Sequence, residues 1–261
     1  MDEQRLPGGV VNGAVLVDGT VRRPVGPWTP AVHALLAHLD SRGFAEAPRA
    51  LGLDEEGREI LTFIPGDTVG DNDPPRAWLW HERTLVDAAG LLRRYHDAVA
   101  DFVPPPDAAW RFGGPLGASD IICHNDFGPY NVVWRDSTVV GMIDWDFAGP
   151  AEPAWDLAYA ATTFVPLHHP GIAVPAGMPD MAQTPRRLRL FIDAYGLRDR
   201  AGFLDLVLAR VEARASDFAR LADEGDLAMQ QLLARGHLSD MRLTADHIRR
   251  NAPSLEAALS G

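Results

Sequence analysis

Lysine is absent from this chain of 261 residues: all 24 basic side chains are arginine, set against 36 acidic ones. Any mechanism that needs a lysine must therefore do without it. The net charge of −12 disfavours non-specific binding to nucleic acid or to an anionic membrane, because like charges repel. It would suit a cationic substrate if the acidic groups gather at a cleft. Cysteine occurs once, as Cys123, so no internal disulfide can form; beside Ile121 and Ile122 it reads as a small buried hydrophobe rather than a nucleophile. No run of about 18 uncharged apolar residues occurs, and MDEQRLPGG has neither the basic start nor the apolar stretch of a signal peptide, so a cytoplasmic protein without a membrane partner is expected. There is no internal repeat, and the one biased tract is the Pro/Gly-rich stretch 166–180.

The 46% of hydrophobic residues is enough for a sizeable core. Residues 10–23 predict two short strands around Asp18-Gly19, a dipeptide that favours a tight hairpin. Thr29-Pro30 then predicts a helix start, with Thr29 as cap and Val32, Leu35, Leu36 and Leu39 at helical spacing up to Gly43. A second hairpin is expected over 48–64, closed by Pro65-Gly66-Asp67. Helical stripes follow: Leu85, Ala89, Leu92, His96 and Val99, then Leu204, Val207, Leu208, Val211, Phe218 and Leu221. The expected class is α+β, with a strand-rich lobe over 1–66 and a mainly helical lobe over 67–261.

Between the helices lies a segment of different texture. Ile121-Ile-Cys-His-Asn-Asp-Phe-Gly-Pro-Tyr-Asn131 leads into an apolar strand, Asp136-Ser137 makes a turn, and Val139 to Asp144 returns. Such a hairpin brings Asp144 beside Asn131. A carboxylate and an amide oxygen converging in this way are hard ligands suited to Mg²⁺ with nucleotide phosphates. Asp126, five residues before Asn131, is then placed to accept a hydroxyl proton and orient the attacking oxygen.

His124-x-Asp126-x-x-x-x-Asn131, Ile143-Asp144-Trp145-Asp146 and Trp155-Asp156-Leu157-Ala158 together resemble the catalytic segment of the aminoglycoside phosphotransferases and choline kinases. The resemblance implies a two-lobed protein-kinase-like fold, with a small antiparallel-sheet N-lobe binding nucleotide over 1–66 and a helical C-lobe over 67–261. It implies Asp126 as catalytic base, Asn131 and Asp144 as Mg²⁺ ligands and Asp156 as a brace for the catalytic loop. It further implies that Leu61 to Pro65, including Phe63 and Ile64, lines an adenine pocket through its backbone. Gly8-Gly9 would cover the phosphates or make a plain turn. In this family a third-strand lysine holds the α- and β-phosphates and pairs with a glutamate on the next helix. Here Arg23, with Arg22 as second choice, falls in the lysine's place and His33 near the glutamate's. Arginine is planar and longer, so the exchange is not conservative.

These residues predict an ATP- and Mg²⁺-dependent phosphotransferase, with GTP as an alternative donor, moving a γ-phosphoryl group to a hydroxyl of a small molecule, with or without an amino group. The alternative is a kinase-like binding or immunity protein with weak or no transfer. Partners are a nucleotide and a small-molecule acceptor, not nucleic acid. Elsewhere, His96 reads as a hydrogen-bonded packing residue and His168-His169 as loop surface. Asp146 is open between contact with a cationic acceptor and a structural hydrogen bond. The arginine pairs 93–94, 186–187 and 249–250 read as solvated helix faces.

Overall fold

The computed structural model describes residues 3–6, 13–70, 76–114, 116–178 and 180–260. Gly8 and Gly9 lie outside them. The chain is α+β, as expected, and its contacts gather into two compact units that interleave along the sequence. One takes the described residues of Met1–Asp73 and Leu91–Asp156, the other those of Pro74–Gly90 and Leu157–Gly261.

The first unit opens with an antiparallel sheet of β1 (Gln4–Arg5), β2 (Val15–Val17), β3 (Thr20–Arg23), β4 (Ala50–Leu53) and β5 (Glu59–Thr62), ordered β1-β2-β3-β5-β4. The β2–β3 hairpin turns on Asp18 and Gly19, at φ 48° and 74°, a left-handed pair that matches the twist of the strands. β1 is a short strand before Gly8, with Gln4 opposite Leu16. The register that matters for the site pairs Val21 with Leu61 and Arg23 with Glu59.

Helix α1 (Thr29–Ser41) buries Val32, Leu35, Leu36 and Leu39. Its N-cap is Trp28 rather than Thr29. The Thr29 hydroxyl points backwards and accepts from the Gly26 N–H at 2.9 Å, so it closes the entry loop instead of the helix end. After α2 (Glu82–Val99), strand β6 (Ile121–Cys123) pairs with β9 (Gly149–Ala151), and β7 (Val132–Arg135) with β8 (Thr138–Met142) through Asp136 and Ser137, both at positive φ. Trp134, Trp145, Tyr95 and Phe127 are fully buried around these strand pairs, with the Tyr95 and Trp145 rings edge to face at 5.1 Å.

The second unit is helical. It takes most of α3 (Pro153–Phe164) with α4 (Pro170–Ala173), α5 (Thr184–Tyr195), α6 (Phe203–Asp223), α7 (Leu227–Ala234) and α8 (His237–Ser260), on a core that includes Leu157, Ala161, Phe164, Phe191, Val207 and Ile248. No helix among the described residues is long and apolar enough to cross a membrane. Two expectations are corrected here. His168 is half-buried, with Nδ1 3.3 Å from Thr244 Oγ1, rather than loop surface. Arg187 is buried, while Arg93, Arg94, Arg186, Arg249 and Arg250 are exposed as expected.

Candidate active site

The loop between β6 and β7 is held from below by one carboxylate. Asp156, fully buried in the first turn of α3, accepts the backbone N–H of His124 and of Asn125, each at 2.9 Å, and lies 3.2 Å from His96 Nε2. Burial acts to raise its pKa, yet the hydrogen bond and charge of His96 and the hydrogen bond from the His124 backbone outweigh it, so the carboxyl stays below the usual range. Cys123 Sγ lies in the same cluster, with its ligand atom and those of His96 and Asp156 within 4.8 Å of one another. The Asp156 oxygens are already engaged by two amides and an imidazole, and Sγ points at the Ala151 and Glu152 carbonyls, so the cluster acts as a brace.

Asn125 adopts φ 62°, a left-handed conformation that asparagine tolerates better than most residues, and its amide donates to Gly149 O at 3.2 Å. That kink turns the chain so that His124 and Asp126 face inward. His124 Nε2 donates to Ile143 O at 3.0 Å and Nδ1 accepts the Asp126 N–H at 3.3 Å, the pattern of a neutral ring. Burial lowers its pKa despite the charges of Asp156 and Asp126.

Asp126 is buried, and its two carboxylate oxygens have different partners. Asn131 Nδ2 donates to Oδ2 at 2.8 Å, and the Tyr130 hydroxyl donates to Oδ1 at 3.1 Å. Gly128 permits the second contact, since a Cβ there would come within 2.7 Å of the Tyr130 ring. Asn131 also reaches Ile143 through its backbone carbonyl, at 3.0 Å, which brings the next residue, Asp144, to the site.

Asp144 sits at φ 63°, ψ 72°, left-handed without a glycine, a conformation that costs about 1–3 kcal/mol unless its surroundings compensate. Burial raises its carboxyl to about pH 6, with Asp146 and Asp126 adding and Arg23 opposing. Arg23 is the compensation: Nη1 lies 3.1 Å from Asp144 Oδ1, Nη2 binds Asp146 and Nε binds Glu59. Its guanidinium, although buried, is held charged by Asp146, Asp144 and Glu59. Glu59 in turn takes His33 Nε2 of α1 at 2.8 Å. The acidic partner of Arg23 therefore comes from the neighbouring strand, and the helix contributes a histidine that bonds to that acid.

The geometry thus gathers Asp126, Asn131, Asp144 and Arg23. Phe63 and Ile64 continue from β5 half-buried, and Ile64 lies over Gly141, where a Cβ would come within 2.9 Å of it. Arg22 instead approaches Asp54, at 3.6 Å. Of the two readings of Asp146, the ion pair to Arg23 is the one present. Glu59 and Tyr130 were not singled out from sequence. The signal for Glu59 is an acid at an inward position of a strand, in alternation with Leu61. As a donor set, Asp126, Asp144 and Asp146 set more negative charge around Asn131 than the Arg23 guanidinium offsets, which fits a divalent cation.

The five-stranded sheet, the β6–β7 loop braced by a helix-borne aspartate, and a return hairpin leading into an aspartate define a protein-kinase-like fold. Solved structures agree. The GDP complex of wild-type aminoglycoside 2'-phosphotransferase-IIIa matches with TM-score 0.58 at 15% identity, covering 100% of this chain and 93% of that one. Amicoumacin kinase hAmiN in complex with AMP-PNP, Ca²⁺ and Ami matches with TM-score 0.63 at 12% identity over 94% and 88%. A choline/ethanolamine kinase family protein from Mesorhizobium loti matches with TM-score 0.53 at 17% identity over 100% and 93%. The phosphotransferase enzyme family matches residues 64–191, and a trifolitoxin immunity protein of Rhizobium leguminosarum bv. trifolii is 38% identical over 228 residues, 85% of each chain. The chain belongs to the phosphotransferase enzyme family.

Proposed function

We propose that the chain is a phosphotransferase that uses ATP, or GTP, with Mg²⁺ and passes the γ-phosphoryl group to a hydroxyl of a small acceptor, with or without an amino group. The observation that carries this reading is the convergence of Asp126, Asn131 and Asp144 on one braced loop and hairpin. Asp126 accepts the acceptor's hydroxyl proton as the new O–P bond forms and the bond to the β–γ bridging oxygen breaks. Asn131 fixes the Asp126 carboxylate, and Asp156 fixes the backbone on which Asp126 sits. Asn131 and Asp144 would hold Mg²⁺, which supplies neutralisation of charge on the phosphate oxygens. Arg23 would turn from Asp144 to the α- and β-phosphates, while Glu59 and His33 keep its position. Residues 1–66 would serve as the nucleotide lobe, with Phe63 and Ile64 at the base.

A second reading has its own support. Arg23 ties up Asp144 and Asp146, and the 38% identical relative is a trifolitoxin immunity protein, so a nucleotide-binding immunity protein with weak transfer is the alternative. Turnover and thermal stability with Mg²⁺-ATP separate the two. Asp126→Asn is expected to lose turnover by about 10²–10⁴-fold while keeping nucleotide stabilisation, which reaches about 2.7 kcal/mol at 100 times the dissociation constant. Wild-type-like turnover in this variant overturns the base assignment. Stabilisation of the wild type without transfer to any hydroxyl acceptor favours the immunity reading.

A further inference from the structure

The second unit contains a charged group that the phosphotransferase reading does not use. Arg187, in the first turns of α5, is 4% exposed. Its Nη1 donates to the backbone carbonyl of Trp80 at 2.7 Å, at the end of the 3₁₀ turn Ala77–Trp80. The other edge of the guanidinium, formed by Nε and Nη2, has no hydrogen-bond partner among the described residues, and both atoms are buried. The indole Nε1 of Trp80, the residue whose carbonyl anchors Arg187, is buried without a partner as well. A buried donor left unsatisfied costs about 1–3 kcal/mol, and more on a charged group, so three on two touching residues are not an arrangement that packing alone would favour.

Nε and Nη2 point the same way in one plane, the spacing that grips two oxygens of an oxyanion side by side. Glu82 does not fill it: its side chain is half-exposed and binds Arg186 at the surface. Burial lowers the Arg187 pKa, with the Arg186 charge adding and Glu82 opposing, so the guanidinium lacks a full counter-charge. One negative charge restores neutrality, whereas a dianion would leave an excess beside Glu82. Trp80 as a whole is half-buried, although its indole Nε1 is covered.

We propose that the Arg187 fork and the Trp80 indole form a binding site for the carboxylate of a small ligand, gripped bidentately by Nε and Nη2 with Nε1 as third donor. The site does not rest on the phosphotransferase reading, and its test needs no turnover.

The probes are sodium acetate and inorganic phosphate, with sodium chloride as the ionic-strength control, added to the full chain labelled with ¹⁵N. The readouts are the Trp80 indole N–H and the Arg187 Nε–H resonances, assigned by their loss in Trp80→Phe and Arg187→Lys. Both resonances are expected to shift together and saturably with acetate and not with chloride. The indole response should disappear in Arg187→Lys, which keeps the charge and loses the fork. Saturation by phosphate with no response to acetate overturns the carboxylate assignment. Absence of a saturable shift with either anion means the donors are merely hydrated and overturns the site. Should Arg187→Lys not fold, Trp80→Phe supplies the assignment and the wild-type titration decides.

Discussion

Arg23 and Glu59 face each other across β3 and β5, with side chains only 8% and 2% exposed, so neither charge has water to fall back on. Breaking a buried pair by neutralising one member typically costs 3–5 kcal/mol, because the survivor stays buried. Arg23 retains Asp144 and Asp146, which softens the loss. Glu59→Gln is therefore expected to destabilise the protein by about 3 kcal/mol in urea unfolding, whereas Glu56→Gln, on an exposed turn, should be neutral within about 0.5 kcal/mol. Equal midpoints for the two variants would show that the pair carries no stability. Glu59 also marks where sequence reading stops. Asp126, Asn131, Asp144 and Asp156 stand out as polar residues among apolar strands at recognisable spacings. Glu59 is one acid after Asp54, Glu55 and Glu56, and its partner lies 36 residues away, selected by strand register. Tyr130 is likewise hidden, because its hydroxyl reaches Asp126 only through the 3₁₀ turn Pro129–Asn131.

At the scale of elements, the hairpins and long helices are legible because their periodicities and turn dipeptides are local. The exceptions are contacts that depend on a distant neighbour. A chain entering α1 from Gly26 redirects the Thr29 hydroxyl, and β1 becomes a strand only because β2 offers an edge. The β6–β9 pair shows how such a contact positions the site. Gly149 opposes Cys123, accepts from Asn125, and passes so close to Phe112 that a Cβ would sit 2.2 Å from its carbonyl oxygen. Backbone cannot yield as a flexible side chain does, so Gly149→Ala must push β9 away and loosen the Asn125 anchor. The expected cost is about 1–3 kcal/mol in urea unfolding, with Gly114→Ala as a control because nothing lies within 4 Å of a Cβ there. An unchanged midpoint for Gly149→Ala would mean that the Phe112 backbone gives way without cost.

Over the whole molecule, stability against pH is set by groups whose native pKa departs from the unfolded value. Burial brings His168 down from 6.5 to about 4, with Asp240 opposing, and lowers His124 and His247 too. As pH falls below 6.5 the unfolded chain takes up protons that these native histidines refuse, so stability drops between pH 6.5 and about 4. Asp144 has the opposite sign: raised from 3.8 to about 6, it takes up a proton in the native state first and adds stability as pH falls through that interval. Asp156 and Glu59 are lowered, so their contribution is present above the unfolded values of 3.8 and 4.5 and disappears only as pH falls further. Three histidines against one aspartate give a net loss on acidification. The urea midpoint is expected to fall from pH 6.5 to 4, less steeply in His168→Gln and more steeply in Asp144→Asn, which removes the opposing group. A wild-type midpoint that rises over this range, or two variants that shift the slope in the same direction, would refute the assignment of these signs.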